Sequence, residues 1–518
     1  HPASIFRCWC VRSRFTRYSH LCALSLELFF YRVFLFNNTM DVYVATFCIF
    51  LSLVTQVIAA PIEDEITALP GLNKQPYWKQ YSGFLNATGT KKLHYWFLES
   101  ANNPQTDPLV LWMNGGPGCS SDLGLLSEHG PFVISSDGMT VTYNNYSWNK
   151  VANMLYLEAP AGVGFSYAYD KNYTTDDDLT SLDNYAALKN FFIKFPEFVS
   201  NDFYITGESY GGIYVPTLSS RVLDDQAINF KGFAVGNGLS DDELNDDSLL
   251  YFGYYHGLLG ESLWNQMIQT CCAGNSTRCT FYRNSLNNTS CQQQLSKAFS
   301  LISYSGLNEY NLYAECQGQP SQGFFFNQKT HMYYHSIFGW KFTKEPKMHK
   351  KMKALKELMK VTKVGITPPC LNYDNIIKYM NASEVRRALH IPDSVQAWDV
   401  CSNQVNFHYK RIYDSMMDQY LKALAAEKRI LVYNGDVDMA CNFLGDEWFT
   451  DSLNQPLVAD RKTWFYTAAD GSKQVAGFVT QFEGLTVVTV KGAGHMVPAD
   501  KPVPALEMIT NFLRQTPF

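Results

Sequence analysis

The stretch from Phe203 to Arg221 constrains this chain more than any other. Phe203-Tyr204-Ile205-Thr206 reads as a strand, it runs into Gly207-Glu208-Ser209-Tyr210-Gly211, and Tyr210 to Arg221 can follow as a helix despite Gly211, Gly212 and Pro216. A serine flanked by glycines at a strand-to-helix junction sits on a sharp elbow, where the glycines allow close backbone approach and Oγ projects above the sheet edge. The geometry suits a nucleophile, and it requires a buried sheet beneath it.

Other segments can supply that sheet. Short β-rich runs ending in glycine turns recur at Leu109–Met113, Met154–Leu157, Phe203–Thr206, Phe230–Val235, Ile430–Tyr433 and Leu485–Val490. Helical patterns lie between several of them. Ser181 to Phe195 places Leu182, Tyr185, Leu188 and Phe192 on one stripe before Pro196 stops it. These signals predict an α/β-hydrolase fold, with a central mostly parallel sheet and flanking helices. From Asp242 to Pro369 cysteines cluster and helical pieces replace strands, which predicts an inserted, mainly helical cap between core parts 61–241 and 370–518. Lys341 to Lys363 is lysine-rich with Met and Leu at helical spacing. It reads as a solvated helix face or as a loop nicked on maturation, so 341–369 is the candidate processing region.

The apolar run after Met40 ends in Ala59-Ala60 and reads as a signal peptide over 40–60, although no Lys or Arg stands in its n-region after Met40 and a retained membrane anchor is the alternative. Residues 1–39 contain no Met and read as an upstream leader outside the fold. Behind the signal stand nine cysteines: Cys119, Cys271, Cys272, Cys279, Cys291, Cys316, Cys370, Cys401 and Cys441. An odd set of this kind fits disulfides plus one free thiol. Asn-X-Ser/Thr triplets at Asn86, Asn145, Asn172, Asn275, Asn287, Asn288 and Asn381 agree with passage through an oxidising secretory route. The 518 residues, 46% of them apolar, can bury a large core, and a net charge of -6 without a basic stripe excludes a nucleic-acid interface.

A serine hydroxyl needs a base, and in this type of fold the partners follow downstream in the order Ser, Asp, His. Asp438 ends the turn Asn434-Gly435-Asp436-Val437-Asp438, with Asp436 and Asp446 as competitors, and His495 lies in Gly492-Ala493-Gly494-His495-Met496-Val497-Pro498. In those roles His495 accepts the Ser209 proton and Asp438 fixes the imidazole tautomer. The run Leu109–Met113 ends in Asn114-Gly115-Gly116-Pro117-Gly118-Cys119-Ser120-Ser121. A loop of this kind can present Gly116 N–H beside Tyr210 N–H as an oxyanion hole. No His and Cys stand at metal-ligand spacing, and Gly162-Val163-Gly164 lacks the rest of a dinucleotide fingerprint, so neither metal nor cofactor is expected. Asp176-Asp177-Asp178 reads as a solvated loop.

Trp112 to Ser121, Gly207 to Gly211, Asn434 to Asp438 and Gly492 to Pro498 together resemble the motifs of the serine carboxypeptidases. Leu69-Pro70-Gly71-Leu72, Tyr81-Ser82-Gly83 and the run Glu158 to Tyr167 fit the same family, so the resemblance extends from about Pro70 to the C-terminus. It implies removal of C-terminal residues, preferably hydrophobic ones, from peptides through an acyl-enzyme. Asn114 and Gly115, with Glu128 and Glu208, would bind the substrate's terminal carboxylate. Taken alone, each glutamate would be read as a surface carboxylate. Beside each other and a third carboxylate they cannot all be charged, so at least one keeps a proton and hydrolysis is expected to favour acid pH. The resemblance further implies disulfides Cys119–Cys401, Cys271–Cys291, Cys272–Cys279 and Cys316–Cys370, with Cys441 free. It implies a homodimer in the lysosome or secreted, and association with lysosomal β-galactosidase and sialidase. Ser121-Asp122-Leu123-Gly124 inverts the family's Leu-Asp order. An esterase or acyltransferase on the same scaffold, or a mainly structural protective protein, are the competing readings.

Overall fold

The structure, a computed structural model, describes residues 60–303, 305–317 and 370–518. The predicted leader, nearly all of the signal segment and the 341–369 processing region lie outside the described residues. The central sheet is built from β1 (Gln80–Asn86), β2 (Lys91–Leu98), β3 (Leu109–Met113), β4 (Asn153–Leu157), β5 (Phe203–Ser209), β6 (Phe230–Gly238), β7 (Arg429–Gly435), β8 (Leu457–Thr467), β9 (Lys473–Phe482) and β10 (Leu485–Val490). They lie in the order β1-β2-β4-β3-β5-β6-β7-β10-β9-β8, and Tyr167–Ala168 pairs with β2 as the eleventh strand. The run β4-β3-β5-β6-β7-β10 is parallel throughout, so the C-terminal ends of these strands share one edge. Every residue of β3, β4 and β5 is buried, which explains why these strands read as apolar runs: helices cover both faces.

The flanking antiparallel pairs, β1–β2 and β8–β9, are not evident as strands in the sequence. In β8 only Trp464 is buried along an edge strand, so its sequence carries no continuous apolar signal.

Helix α1 (Asp177–Lys194) starts four residues before the predicted Ser181. The reason is a cap: Asp176 Oδ1 accepts the Leu179 N–H at 2.8 Å. The Asp176–Asp178 run is therefore not a solvated loop. Asp177 is buried to 1% exposure, and only Asp178 faces solvent. Helix α2 (Gly211–Val222) follows the elbow directly.

Between β6 and β7 the described chain is mainly helical, with α3 (Asp242–Tyr255), α4 (Glu261–Cys272) and α5 (Thr289–Ser303), and Phe281–Ser285 between the last two. Trp264, Met267, Phe281, Leu295 and Phe299 form an apolar cluster of its own there. The structure joins Cys271 to Cys291, Cys272 to Cys279, Cys316 to Cys370 and Cys119 to Cys401, and leaves Cys441 as a buried free thiol. Cys271–Cys291 fastens α4 to α5, while Cys119–Cys401 ties the loop after β3 to the chain that precedes β7. No helix among the described residues is long and apolar enough to cross a membrane.

Candidate active site

Ser209 ends β5 and has a φ of 63°, a left-handed conformation that a non-glycine residue holds only where its surroundings fix it. Its surroundings do so. A Cβ at Gly207 would lie 2.5 Å from Met113 O, and a Cβ at Gly115 would collide with the Tyr210 N–H, so the loop after β3 can press against the elbow only because these positions are glycine. That loop is held from the other side by Ser120 N–H to Val400 O and Ser402 N–H to Gly118 O, both 2.8 Å, next to the Cys119–Cys401 bridge. The Gly116 and Tyr210 amides are thus carried by two backbone segments in close contact.

Asp438 and His495 follow the ends of β7 and β10, two strands that pair in parallel. His495 Nδ1 lies 2.7 Å from Asp438 Oδ2. Three further donors hold Asp438: Asn237 Nδ2 at 3.0 Å, Ala440 N–H at 2.9 Å and Cys441 N–H at 3.0 Å. With so many donors directed at it, Asp438 accepts from His495. The imidazole proton then sits on Nδ1 and the Nε2 lone pair is free. Among the described residues His495 Nε2 is buried and makes no hydrogen bond, neither to Ser209 Oγ nor to a competing group, so it is left open on the side where it would accept a proton as a base. The competing aspartates are otherwise engaged: Asp446 accepts from Ser240 Oγ at 2.7 Å and Asn434 Nδ2 at 2.8 Å, and Asp436 accepts the Gly492 N–H at 2.6 Å.

On the other side of Ser209, Glu128 and Glu208 are buried, to 5% and 4% exposure, rather than on the surface. A single amide serves both: Asn114 Nδ2 donates to Glu208 Oε1 at 2.8 Å and to Glu128 Oε1 at 3.2 Å. Asn114 is fixed by Trp112 Nε1 (2.7 Å) and Gly124 N–H (3.1 Å) on its Oδ1. The two carboxyls also bond to each other, side chain to side chain. Burial pushes the proton affinity of both carboxyls upward; for Glu208 the adjacent Glu128 charge pushes the same way, against the opposing pull of Asn114. A group of this kind donates a hydrogen bond and can meet an incoming carboxylate.

Several residues around this centre carry no recognised signal in the sequence. Asn237, within Gly236-Asn237-Gly238 at the end of β6, binds both Asp438 and the Gly435 N–H (2.8 Å); a Gly-Asn-Gly step at a strand end is the available clue. Tyr310 places its ring 4.8 Å from that of His495, and its carbonyl accepts the His495 N–H at 2.7 Å, from a distant part of the chain. His94, Asp122 and Glu158, all fully buried, bring three side chains together with ligand-type atoms within 4.8 Å of one another, a convergence that spacing in the sequence does not disclose. His94 Nδ1 is 2.9 Å from Glu158 Oε2, and Glu158 also accepts from Trp398 Nε1 at 2.8 Å, from Phe165 N–H at 2.7 Å and from Ser120 Oγ. The cluster thereby supports the loop after β3 from below.

The sheet order, the serine elbow and the strand-end loops define an α/β-hydrolase. A solved structure of similar fold, with a TM-score of 0.67, is that of Kex1(Δ)p, a prohormone-processing carboxypeptidase from Saccharomyces cerevisiae; it is 23% identical and the match covers 88% of this chain and 96% of that one. The profile of the serine carboxypeptidase family matches residues 70–515, and the chain belongs to that family. It is 50% identical to the lysosomal protective protein of Mus musculus, over 89% of this chain and 95% of the relative. It is 41% identical to serine carboxypeptidase ctsa-4.1 of Caenorhabditis elegans, over 90% and 96% respectively. The protein is a serine-type carboxypeptidase.

Proposed function

We propose that Ser209 attacks the last peptide bond of a bound peptide, with His495 as general base and then general acid, and Asp438 orienting the imidazole. Gly116 and Tyr210 N–H groups stabilise the oxyanion. Asn114, Gly115, Glu128 and Glu208 hold the substrate's terminal carboxylate, so cleavage occurs one residue from the chain end. One observation carries this reading: a buried carboxyl pair sits under one amide and adjoins the elbow serine in sequence, since Glu208 precedes Ser209. A generic esterase site has no use for such a pair. The reading favours acid pH, because the carboxyl that donates to the substrate loses that ability once its proton leaves.

The name of the mouse relative and the four disulfides support a lysosomal location reached through the secretory pathway. A homodimer, and association with lysosomal β-galactosidase and sialidase, belong to the reading only through the family. Co-sedimentation that survives Ser209→Ala would support them.

The central test compares an N-blocked dipeptide with its C-terminal amide near pH 5. Release of the C-terminal amino acid, its loss in Ser209→Ala, and poor turnover of the amide are expected. Equal turnover of acid and amide would remove the end-binding role, and activity surviving in Ser209→Ala would remove the nucleophile.

A further inference from the structure

We propose that Asp177 is a positioning residue for catalysis: it anchors the Tyr210 side chain and so holds the Tyr210 N–H in the oxyanion hole. The proposal rests on the reading of Ser209 and Tyr210 given above.

The observations concern a carboxylate that belongs to none of the catalytic or substrate-binding groups. Asp177 is the first residue of α1 and is buried to 1% exposure. Its Oδ1 accepts the hydroxyl of Tyr210 at 2.7 Å and that of Tyr409 at 2.9 Å. Its Oδ2 accepts the N–H groups of Ile412 at 2.5 Å and Tyr413 at 3.1 Å. One side chain therefore joins three parts of the molecule: the start of α1, the residue after the nucleophile, and the chain that returns from the insertion. Tyr409–Lys410 also pairs in parallel with Thr175–Asp176, so the returning segment is fixed on both sides of the carboxylate. The Tyr210 ring is further held edge-on by Tyr409 (centroids 5.6 Å apart, 87°) and Tyr214 (5.3 Å, 80°), with the Arg411 guanidinium 5.4 Å from its centroid.

This fixation has a chemical purpose. The strained φ of Ser209 persists only while the residues on either side are over-determined. On the N-terminal side β5 is bonded into the sheet. On the C-terminal side the Ser209 carbonyl accepts the Leu239 N–H at 2.9 Å, and the next anchored side chain is that of Tyr210, whose N–H must aim at an oxygen that becomes charged only in the transition state. A ring tethered through its hydroxyl cannot swing, and the amide on the same residue keeps its direction. Removing an oxyanion donor outright costs about 10²- to 10³-fold in kcat, so loosening one is expected to cost on the order of tenfold.

The test uses Tyr210→Phe, which keeps the ring and the amide but cuts the tether, together with Asp177→Ala and the double variant. Rates are expressed per active site titrated with a fluorophosphonate, so that unfolded protein does not count. Two inhibitors separate the transition state from the ground state: a peptide aldehyde, whose hemiacetal oxygen enters the oxyanion hole, and a free C-terminal amino acid product. Both single variants are expected to lose about tenfold in kcat per titrated site and the same factor in aldehyde affinity, with product affinity within about twofold of wild type. The double variant is expected to be no worse than Asp177→Ala alone. Asp178→Asn, at the exposed neighbour, is expected to change neither.

Per-site kcat and aldehyde affinity equal to wild type in Tyr210→Phe would overturn the proposal, even if Asp177→Ala melts earlier, because Asp177 would then only secure 409–413. Tyr210→Phe decides alone if Asp177→Ala does not fold. If Ser209→Ala still takes up the label and turns over, the underlying assignment fails instead, a result readable without any Asp177 variant.

Discussion

The two flanks of Ser209 hold their carboxyl groups in opposite ways. On the His495 side, Asp438 receives four hydrogen bonds, two of them from backbone amides of its own turn. On the Glu208 side, two buried carboxyls share one asparagine amide and bond to each other. The glutamate pair has one amide donor between two carboxyls in a dry site, where burial raises the proton affinity of both and, for Glu208, the Glu128 charge adds to it. A carboxyl group thus acts as a multiple acceptor beside His495 on one flank, and on the other belongs to a pair whose burial favours the protonated form.

Breaking the donor-rich flank should have the larger effect. Asp438→Asn preserves shape but replaces an acceptor with an amide that has to donate on one side, so His495 Nδ1 loses the partner that fixes its tautomer. A fall of about 10³- to 10⁴-fold in kcat, with KM little changed, is expected on a blocked dipeptide. Labelling of Ser209 by a fluorophosphonate should slow in parallel. A drop below tenfold would mean that Asp436 or Asp446 serves His495 instead.

Much of this contrast is legible in the amino-acid sequence. The order Ser, Asp, His at strand ends, the glycine-rich loop after β3 and the parallel core strands can each be read from short segments, because each depends on local chemistry: apolar runs for buried strands, and glycines where backbones meet. What the sequence hides depends on distance along the chain. Asp177 reads as one of three solvated acids, because nothing near it in sequence announces Tyr409, Ile412 and Tyr413 as its partners. His94 and Glu158 meet across 64 positions. Strand β8 escapes because an edge strand needs only one buried residue, Trp464, to hold its place. Glu128 and Glu208 are separable from ordinary surface acids only through the family's motif, not through their own neighbourhoods.

The donor-poor flank makes a prediction about pH and stability. The folded proton affinities of Glu128 and Glu208 lie above the ordinary carboxyl range. Their contribution to stability is therefore fully present below the unfolded value near pH 4 and is lost as pH rises through the folded values, at up to about 1.4 kcal/mol per pH unit for each proton retained. Glu208→Gln keeps an amide donor but does not titrate. The wild-type melting temperature is expected to fall between pH 4.5 and 7.5, and the variant's to fall less, while the two agree at pH 4.5. The variant should not become pH-independent. Asp446 and Asp247 are also buried, with proton affinities pushed up to about 6 and about 8, so they leave a residual slope. Parallel curves for variant and wild type would show that the Glu pair bears no share of the pH dependence.

Donor supply also separates the seven glycosylation triplets, with the smallest expected effect. Asn86, Asn145, Asn172, Asn275 and Asn287 are exposed. Asn288 donates its Nδ2 to Thr270 O at 2.9 Å and accepts the Cys291 N–H at 3.1 Å. Asn381 is more fully used: Nδ2 donates to both Ile377 O and Trp398 O, and Oδ1 accepts the Trp398 N–H, all at 2.8 Å. A sugar replaces one of the two Nδ2 hydrogens, so a glycan on Asn381 removes the bond to Ile377 O or to Trp398 O and disturbs the side chain that seats Trp398, whose indole N–H in turn reaches Glu158. Each such bond contributes about 1 kcal/mol. Glycopeptide mapping of the folded protein should find sugar among the five exposed sites and none at Asn381. Asn381→Gln should lower the melting temperature by a few degrees, while Asn86→Gln leaves it unchanged. A fully occupied Asn381 in active protein would mean that Trp398 is seated without that bond and that the support beneath the loop after β3 is looser than the hydrogen-bond pattern implies.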